Sequence, residues 1–172
     1  MAKQAVSRLK IYLQTRSAPK KNGIIRNIGF SAHSPQAALT AMKEFDFDTI
    51  MYPINFCTHF NSNFESEVLA EAKKRKMGII AIKAIAKQKW QNDNDERKQY
   101  PKCWYEPIGE PQTAQKALSW AYEQGISLAL PPGEEKLFKM CMDLAPNCKK
   151  LSENELNELE NLAKESEPIF TT

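Results

Sequence analysis

The chain has 172 residues, 42% of them hydrophobic, which suits a single globular domain with a real core. Its 24 basic and 21 acidic residues are interleaved and give a formal net charge of +3, so no nucleic-acid partner is indicated. No apolar run reaches the roughly 18 residues of a membrane span, and the N-terminal ten residues lack the apolar centre of a secretory signal. We therefore expect a cytoplasmic protein that does not associate with membranes.

The first part of the chain predicts a helix followed by a linker. Apolar residues at helical spacing mark 2–14, and the polar stretch 20–23 follows a turn-like sequence. We therefore divide the chain into an N-terminal helix and linker, 1–23, and one domain, 24–172.

The domain begins with a predicted strand, helix and second strand. Residues 24–31 indicate a short buried strand, and Ser34 followed by Pro35 is typical of a helix N-terminus. A helix is predicted over 35–45, and a second strand over 47–52.

Two further strand and helix units continue the alternation. Ser62 and Glu65 form a capping-box pattern before a helix, and a strand is predicted over 79–82. A helix over 113–124 then leads to a strand over 126–130. Because strands joined by helices imply right-handed crossovers, we predict an α/β fold with a parallel sheet of about four strands.

Two more helices are predicted at the end of the chain, over 134–144 and after the capping pair Ser152 and Glu155. The segment 86–111 is the exception, because it lacks periodicity. It contains four large aromatic residues, Trp90, Tyr100, Trp104 and Tyr105. Two interpretations stay open for it: a lid on the substrate side, or an aromatic flap that covers exposed core.

Several segments follow one another in the order of a known family. These are IRNIGFS at 25–31, FDTIMYPIN at 47–55, GIIAIK at 78–83, ALSWA at 117–121 with LPPG at 130–133, and the helix at 151–162. They resemble barrel strands five, six, seven and eight and the closing helix of the aldo/keto reductases. The resemblance covers about residues 24–163 in the right order and spacing.

This resemblance implies strands five to eight of a TIM (β/α)8 barrel whose cofactor is NADPH. The family carries its catalytic Tyr, Lys, Asp and His on the first four strands, which the sequence does not match, and segment 2–14 would then be the fourth helix. We expect an oxidoreductase domain that is truncated and inactive alone. The alternative is a non-catalytic assembly module, which pairs as a homodimer or with a complementing N-terminal half-barrel.

The resemblance also places residues at the nicotinamide. Ser31 matches the serine that helps to hold the nicotinamide amide through its hydroxyl. Ala32 and Met51 replace the usual Asn and Gln, which removes two amide-binding groups, and Ile82 takes the position of a stacking Tyr. The cofactor contacts that the family implies are therefore only partly present.

The remaining candidate cofactor residues are Lys83, Gly133 and Lys136. Lys83 follows the third strand, where it would face a phosphate or remain a solvated charge. Gly133 permits a tight turn into a helix whose free N–H groups could hold a phosphate, with Lys136 or Lys139 nearby. Glu134 and Glu135 at the same helix terminus would repel an anion, so a plain capped helix is an equal alternative.

The histidines and cysteines give weak signals. His33 and His59 lie near predicted strand ends without an adjacent carboxylate or nucleophile, so a loop or capping role is favoured over catalysis. The four cysteines lack the spacing of a metal or redox site, although their even number would permit disulfides. We expect reduced structural thiols at Cys57, Cys103, Cys141 and Cys148.

Overall fold

The computed structural model describes residues 19–91 and 95–171. Its strands are β1 Gly29–Ser31, β2 Thr49–Pro53, β3 Gly78–Ile82, β4 Ala86–Lys89, β5 Tyr105–Pro107 and β6 Leu128–Ala129. Its helices are α1 Pro35–Glu44, α2 Phe56–Ser62, α3 Ser66–Lys74, α4 Asp95–Gln99, α5 Pro111–Glu123, α6 Glu135–Leu144 and α7 Glu153–Lys164, with a 3-10 turn at Ala145–Asn147. The predicted helix over 2–14 lies outside the described residues.

A parallel sheet of four strands forms the centre of the fold, in the spatial order β1, β2, β3, β6. Ser31 pairs with Met51, and Ala81 pairs with Ala129, so the strands end along one edge. The carboxyl ends of the strands therefore present their following loops together. The predicted α/β class and parallel four-stranded sheet are confirmed.

Two helix starts follow from local sequence as predicted. The Ser34 hydroxyl accepts a hydrogen bond from Ala37 N at 3.4 Å, and Pro35 is the first residue of α1. In α7, Ser152 and Glu155 form the reciprocal capping box, with both side chains bonded to the other residue's backbone N–H. Both caps satisfy N–H groups that have no partner inside their helix.

Two local predictions were wrong. Only Gly29–Ser31 of the expected strand 24–31 pairs with β2, and Ile24 is 74% exposed. Ser62 ends α2 and does not start a helix; the next helix begins after Glu65, whose side chain makes no capping bond. The short helix α2, which the buried Asn55 caps, was not predicted.

The described parts of segment 86–111, residues 86–91 and 95–111, form an excursion from the carboxyl end of β3. It contains the antiparallel pair β4 and β5, and the Trp90 indole donates to the Cys103 carbonyl at 2.9 Å. Tyr105 is buried in the core while Trp104 is 53% exposed. The described residues of the segment therefore cover core, as the flap interpretation expects, and they also border the strand ends. The lid on the substrate side stays a prediction.

The tail after α7 binds to this excursion through Glu167. Lys89 Nζ and Gln91 Nε2 donate to its two carboxylate oxygens at 2.9 and 3.2 Å. The Glu167 backbone N–H donates to Gln88 Oε1 at 3.3 Å, and Lys89 N donates to Glu167 O at 3.3 Å. These bonds direct Phe170 back toward the carboxyl ends of the strands.

Within the described part of the chain, β1 and β6 are the two edge strands of this sheet, and apolar surface lies beside β6. Leu128, Leu130 and Met142 border one groove, and Phe138 lies one turn before Met142 on α6. All four side chains are exposed by 44 to 56%. Among the described residues, no helix is both long and apolar enough to cross a membrane.

Candidate functional site

A cleft of about 210 Å³ lies at the carboxyl ends of β3 and β6, and we refer to it as the strand-end cleft. In parallel β/α barrels this edge is where active sites are built. The walls of the cleft include Ile82, Lys83, Cys103, Trp104, Tyr105 and Gly133. The excursion after β3 thus supplies one wall, and the loop after β6 supplies the other.

Lys83 provides the cation of this cleft. Its Nζ lies 5.3 Å from the Trp104 ring centroid and 4.9 Å from the Tyr105 ring centroid, within the range of cation–π attraction. Among the described residues no carboxylate lies within salt-bridge distance of it. Burial lowers the pKa of the Lys83 ammonium, since desolvation disfavours the charged form. The Lys83 ammonium is therefore partly withdrawn from solvent, and its contact with a phosphate stays a prediction.

The backbone at Lys83 is in the left-handed region, with φ of 68°. Residues with a Cβ adopt this conformation rarely, so the surrounding structure must hold it. The amide of the fully buried Asn55 donates to the Lys83 carbonyl at 2.8 Å and to the Ala86 carbonyl at 2.5 Å. Asn55 also accepts from Thr58 N at 3.2 Å and so caps α2. One side chain therefore joins the end of β2 to the turn after β3.

His33 lies near the same charge, two residues after the end of β1. Its pKa is lowered first by burial and then by the positive charge of Lys83. Its ring contacts Phe170, whose ring also lies 5.4 Å from Phe64 and 6.1 Å from Trp104. A second, more open cleft of about 650 Å³ borders His33 and Phe170 on the side of α1. His33 and Lys83 are therefore linked by neighbouring rings: Phe170 lies against His33, Trp104 lies against Lys83, and these two rings contact each other.

Of the other predicted cofactor residues, Gly133 lines the strand-end cleft, whereas Ser31 and Lys136 do not. Gly133 lines the strand-end cleft with Lys83, and a Cβ built there meets nothing within 4 Å. Ser31 ends β1 with an exposed side chain beside Met51, but it does not line the cleft. Lys136 is exposed in the first turn of α6 and also lies outside the cleft lining.

A negative charge stands close to the Gly133 turn. Glu134 accepts a hydrogen bond from the Lys102 backbone N–H at 3.3 Å through its carboxylate. Its charge also contributes to the raised pKa of the Cys103 thiol, after the larger effect of burial. The start of α6 is therefore less favourable to an anion than the Lys83 side of the cleft.

The thiols are not activated nucleophiles. Burial raises the pKa of Cys57 to about 12 and that of Cys141 to about 11, and it also raises the pKa of Cys103 and Cys148. Within the described residues, no group of His, Cys, Asp and Glu could hold a metal ion.

His59 has a carboxylate partner that the sequence did not reveal. Its Nδ1 lies 2.5 Å from Glu65 Oε1, and the Glu65 side chain is only 1% exposed. The prediction that no carboxylate neighbours His59 was therefore wrong. Its ring also packs against Trp120 with centroids 5.1 Å apart, so this pair belongs to the packing of α2 against α5.

The fold and the cleft define a segment of a parallel β/α barrel with its site at the strand carboxyl ends. A family model described as the aldo/keto reductase family matches residues 17–164, and the chain belongs to this family. A solved structure of a thermostable aldo-keto reductase, Tm1743, in complex with the inhibitor epalrestat is similar in fold, with a TM-score of 0.55 and 16% identity. The match covers 90% of this chain and 54% of that chain, so the chain spans about half of that reductase. Comparison with curated proteins gives no match.

Sequence reasoning did not identify Asn55, Trp104, Tyr105 and Phe170 as site residues. The aromatic density of 86–111 was the available signal for two of them. Asn55 ends the family-like segment 47–55, but its contact with Lys83 joins residues 28 positions apart. Phe170 gave no signal, because its ring contacts are with residues far away in the sequence.

Proposed function

We propose that this chain is the cofactor-side half of an NADP-dependent aldo/keto reductase barrel, and that it binds NADP but does not catalyse alone. The observation that carries the proposal is the half-buried Lys83 ammonium in the strand-end cleft, which lacks a carboxylate partner among the described residues. A desolvated cation without a counter-ion favours an anionic ligand. NADPH, when bound, would supply a hydride for carbonyl reduction.

The cleft fits the phosphate part of the cofactor better than the nicotinamide part. Lys83 offers a charge to a phosphate oxygen, while Ser31 offers an exposed hydroxyl to the nicotinamide amide. Ala32 and Met51 offer that amide no hydrogen bond. We therefore expect weaker binding than a complete set of contacts would give.

Gly133 and Lys136 have supporting roles in this proposal. The open space at Gly133 allows a ligand to approach the backbone, and Lys136 is exposed in the first turn of α6. Glu134 opposes an anion at this position. We therefore propose that Lys136 contributes long-range attraction and that Lys83 provides the main contact.

The described residues also support inactivity of the isolated chain. Burial raises the pKa of Tyr105, the tyrosine in the cleft wall, so this phenol is a poor proton donor at neutral pH. Burial and the positive charge of Lys83 lower the pKa of His33, which makes its ring a weaker base. The resemblance assigns the four catalytic groups of the family to the first four β/α units, which this sequence does not match.

A titration and an activity assay together test the proposal. NADPH should quench tryptophan fluorescence, because Trp104 lies against Lys83, and the protein at high concentration should not oxidise NADPH in the presence of an aldehyde. Consumption of NADPH by the pure chain would contradict the inactivity, and absence of any NADPH binding would contradict the cofactor role.

The exposed edge at β6 supports a second candidate function, that of an assembly module. In a closed barrel every edge strand pairs with a neighbour, and an open edge with apolar side chains favours association. We propose that Leu128, Leu130, Phe138 and Met142 contact further β/α units, supplied by a longer polypeptide, a separate half-barrel or a second copy. This proposal includes a cytoplasmic location, where the four thiols would stay reduced.

Sedimentation of the purified chain tests the assembly proposal. A dimer that the paired substitutions Leu130→Lys and Met142→Lys convert to monomer would support a homodimer through this edge. The assembly proposal would be contradicted if the chain stays monomeric at high concentration and does not bind a co-expressed first half of an aldo/keto reductase. Lys164→Glu, on the exposed face of α7, serves as the control for a change of surface charge.

A further inference from the structure

We infer that Asn55 is the positioning residue that holds the Lys83 ammonium in the strand-end cleft. This inference rests on the proposed anion-binding role of Lys83. It extends that role to a buried amide at the end of the neighbouring strand, which does not itself line the cleft.

The Asn55 side chain uses both of its amide hydrogens on the turn that contains Lys83. The two acceptors, the Lys83 and Ala86 carbonyls, lie 2.8 and 2.5 Å from its Nδ2. The turn is closed from the other side by the Ala86 N–H, which donates to the Lys83 carbonyl at 2.9 Å. The carbonyls at both ends of the turn are therefore fixed by one rigid, fully buried group.

Because the backbone at Lys83 is left-handed, the turn needs the two hydrogen bonds from Asn55 to keep its conformation. Lysine has a Cβ and disfavours a φ of 68°, so the turn would relax toward negative φ without its hydrogen bonds. Such a change rotates the direction of the Cα–Cβ bond. The ammonium would then leave the Trp104 and Tyr105 rings, which it contacts only in the present conformation.

A purely structural role for Asn55 is the competing explanation, because its Oδ1 also caps α2 by accepting from Thr58 N. The two roles use different atoms of the amide. Asn55→Asp retains the capping oxygen but has no hydrogen to donate to the two carbonyls. Ser34→Ala removes a comparable cap from α1 and leaves the turn untouched, so it is the matched control for lost capping.

The NMR signals of the lysine Cε–Hε groups in the ligand-free protein test the inference directly. In the native protein the Lys83 signal, assigned with Lys83→Arg, should lie upfield of other lysines because two rings face it. We expect Asn55→Asp to return this signal to the common lysine position and Ser34→Ala to leave it shifted. An unchanged Lys83 signal in folded Asn55→Asp would overturn the inference. If the aspartate variant does not fold, Asn55→Ser, whose hydroxyl can cap but cannot bridge both carbonyls, gives the same decision.

A binding cycle with inorganic pyrophosphate adds a functional readout. Asn55→Ser should weaken pyrophosphate binding by about tenfold in the native background and by less than about twofold in Lys83→Met, since coupled residues are not additive. Equal losses in both backgrounds would contradict action through Lys83. The proposed function is judged separately, since NADPH titration of the native protein decides it, whereas the NMR shift decides the role of Asn55.

Discussion

Replacement of Lys83 by methionine isolates the charge on which the proposed cofactor site depends. Methionine keeps an unbranched side chain that can remain against Trp104 and Tyr105, but it removes the ammonium. An ammonium and a phosphate oxygen about 4 Å apart attract by about 4 kcal/mol at an effective dielectric constant of about 20. Because Lys83 is only half-buried, salt and water reduce this value, and we take about 2 kcal/mol as the loss.

A loss of about 2 kcal/mol corresponds to a Kd about 30-fold higher. Tryptophan fluorescence titrations with NADPH and with inorganic pyrophosphate measure it at two salt concentrations, and the difference between native and variant protein should shrink as salt rises. Lys164→Met removes an equal charge from exposed α7, where Lys164 pairs with Glu160, and should change Kd less than about twofold. Native affinity in Lys83→Met would refute the assignment of the cleft as the phosphate site.

Three further predictions concern stability. Gly29→Ala should destabilise by about 1–3 kcal/mol, because a Cβ there would lie 2.0 Å from Thr49 Oγ1, whereas Gly133→Ala, with open space, should be nearly neutral in urea unfolding. His59→Ala should cost about 2–4 kcal/mol in the same assay, since it leaves the buried Glu65 carboxylate without its partner; a loss below 1 kcal/mol would contradict this. His33 has a lowered pKa, so protonation favours the unfolded chain, and the free energy of unfolding should fall as pH drops below about 6.5. His33→Gln should flatten that part of the pH profile, and an unaltered profile would show that another group is responsible.

The parts of the fold that local sequence determines were predictable. Ser34 with Pro35, and Ser152 with Glu155, act on N–H groups within three residues, so their patterns predict the starts of α1 and α7 directly. The parallel sheet was also predictable, because helices separate its successive strands along the sequence.

The errors arose where distant residues decide the outcome. The segment 24–31 resembles one strand, but only Gly29–Ser31 is in register with Thr49–Met51 and pairs with it. The conformation of Lys83 is set by a side chain 28 positions earlier and by two rings more than 20 positions later. Periodicity and short motifs do not report contacts between such distant residues. Lys83 could therefore be predicted as a candidate from the sequence, but its neighbours could not.

The path of the tail also determines where this protein can be extended for experiments. Glu167 binds the tail to the excursion after β3, and Phe170 contacts the rings of His33, Phe64 and Trp104 beside the strand ends. A purification tag or fluorescent fusion attached after Thr172 would start immediately beyond this aromatic group. Such a fusion would crowd the surface at which ligands are to be measured, so affinity handles for these assays belong at the other terminus or should be removed before titration.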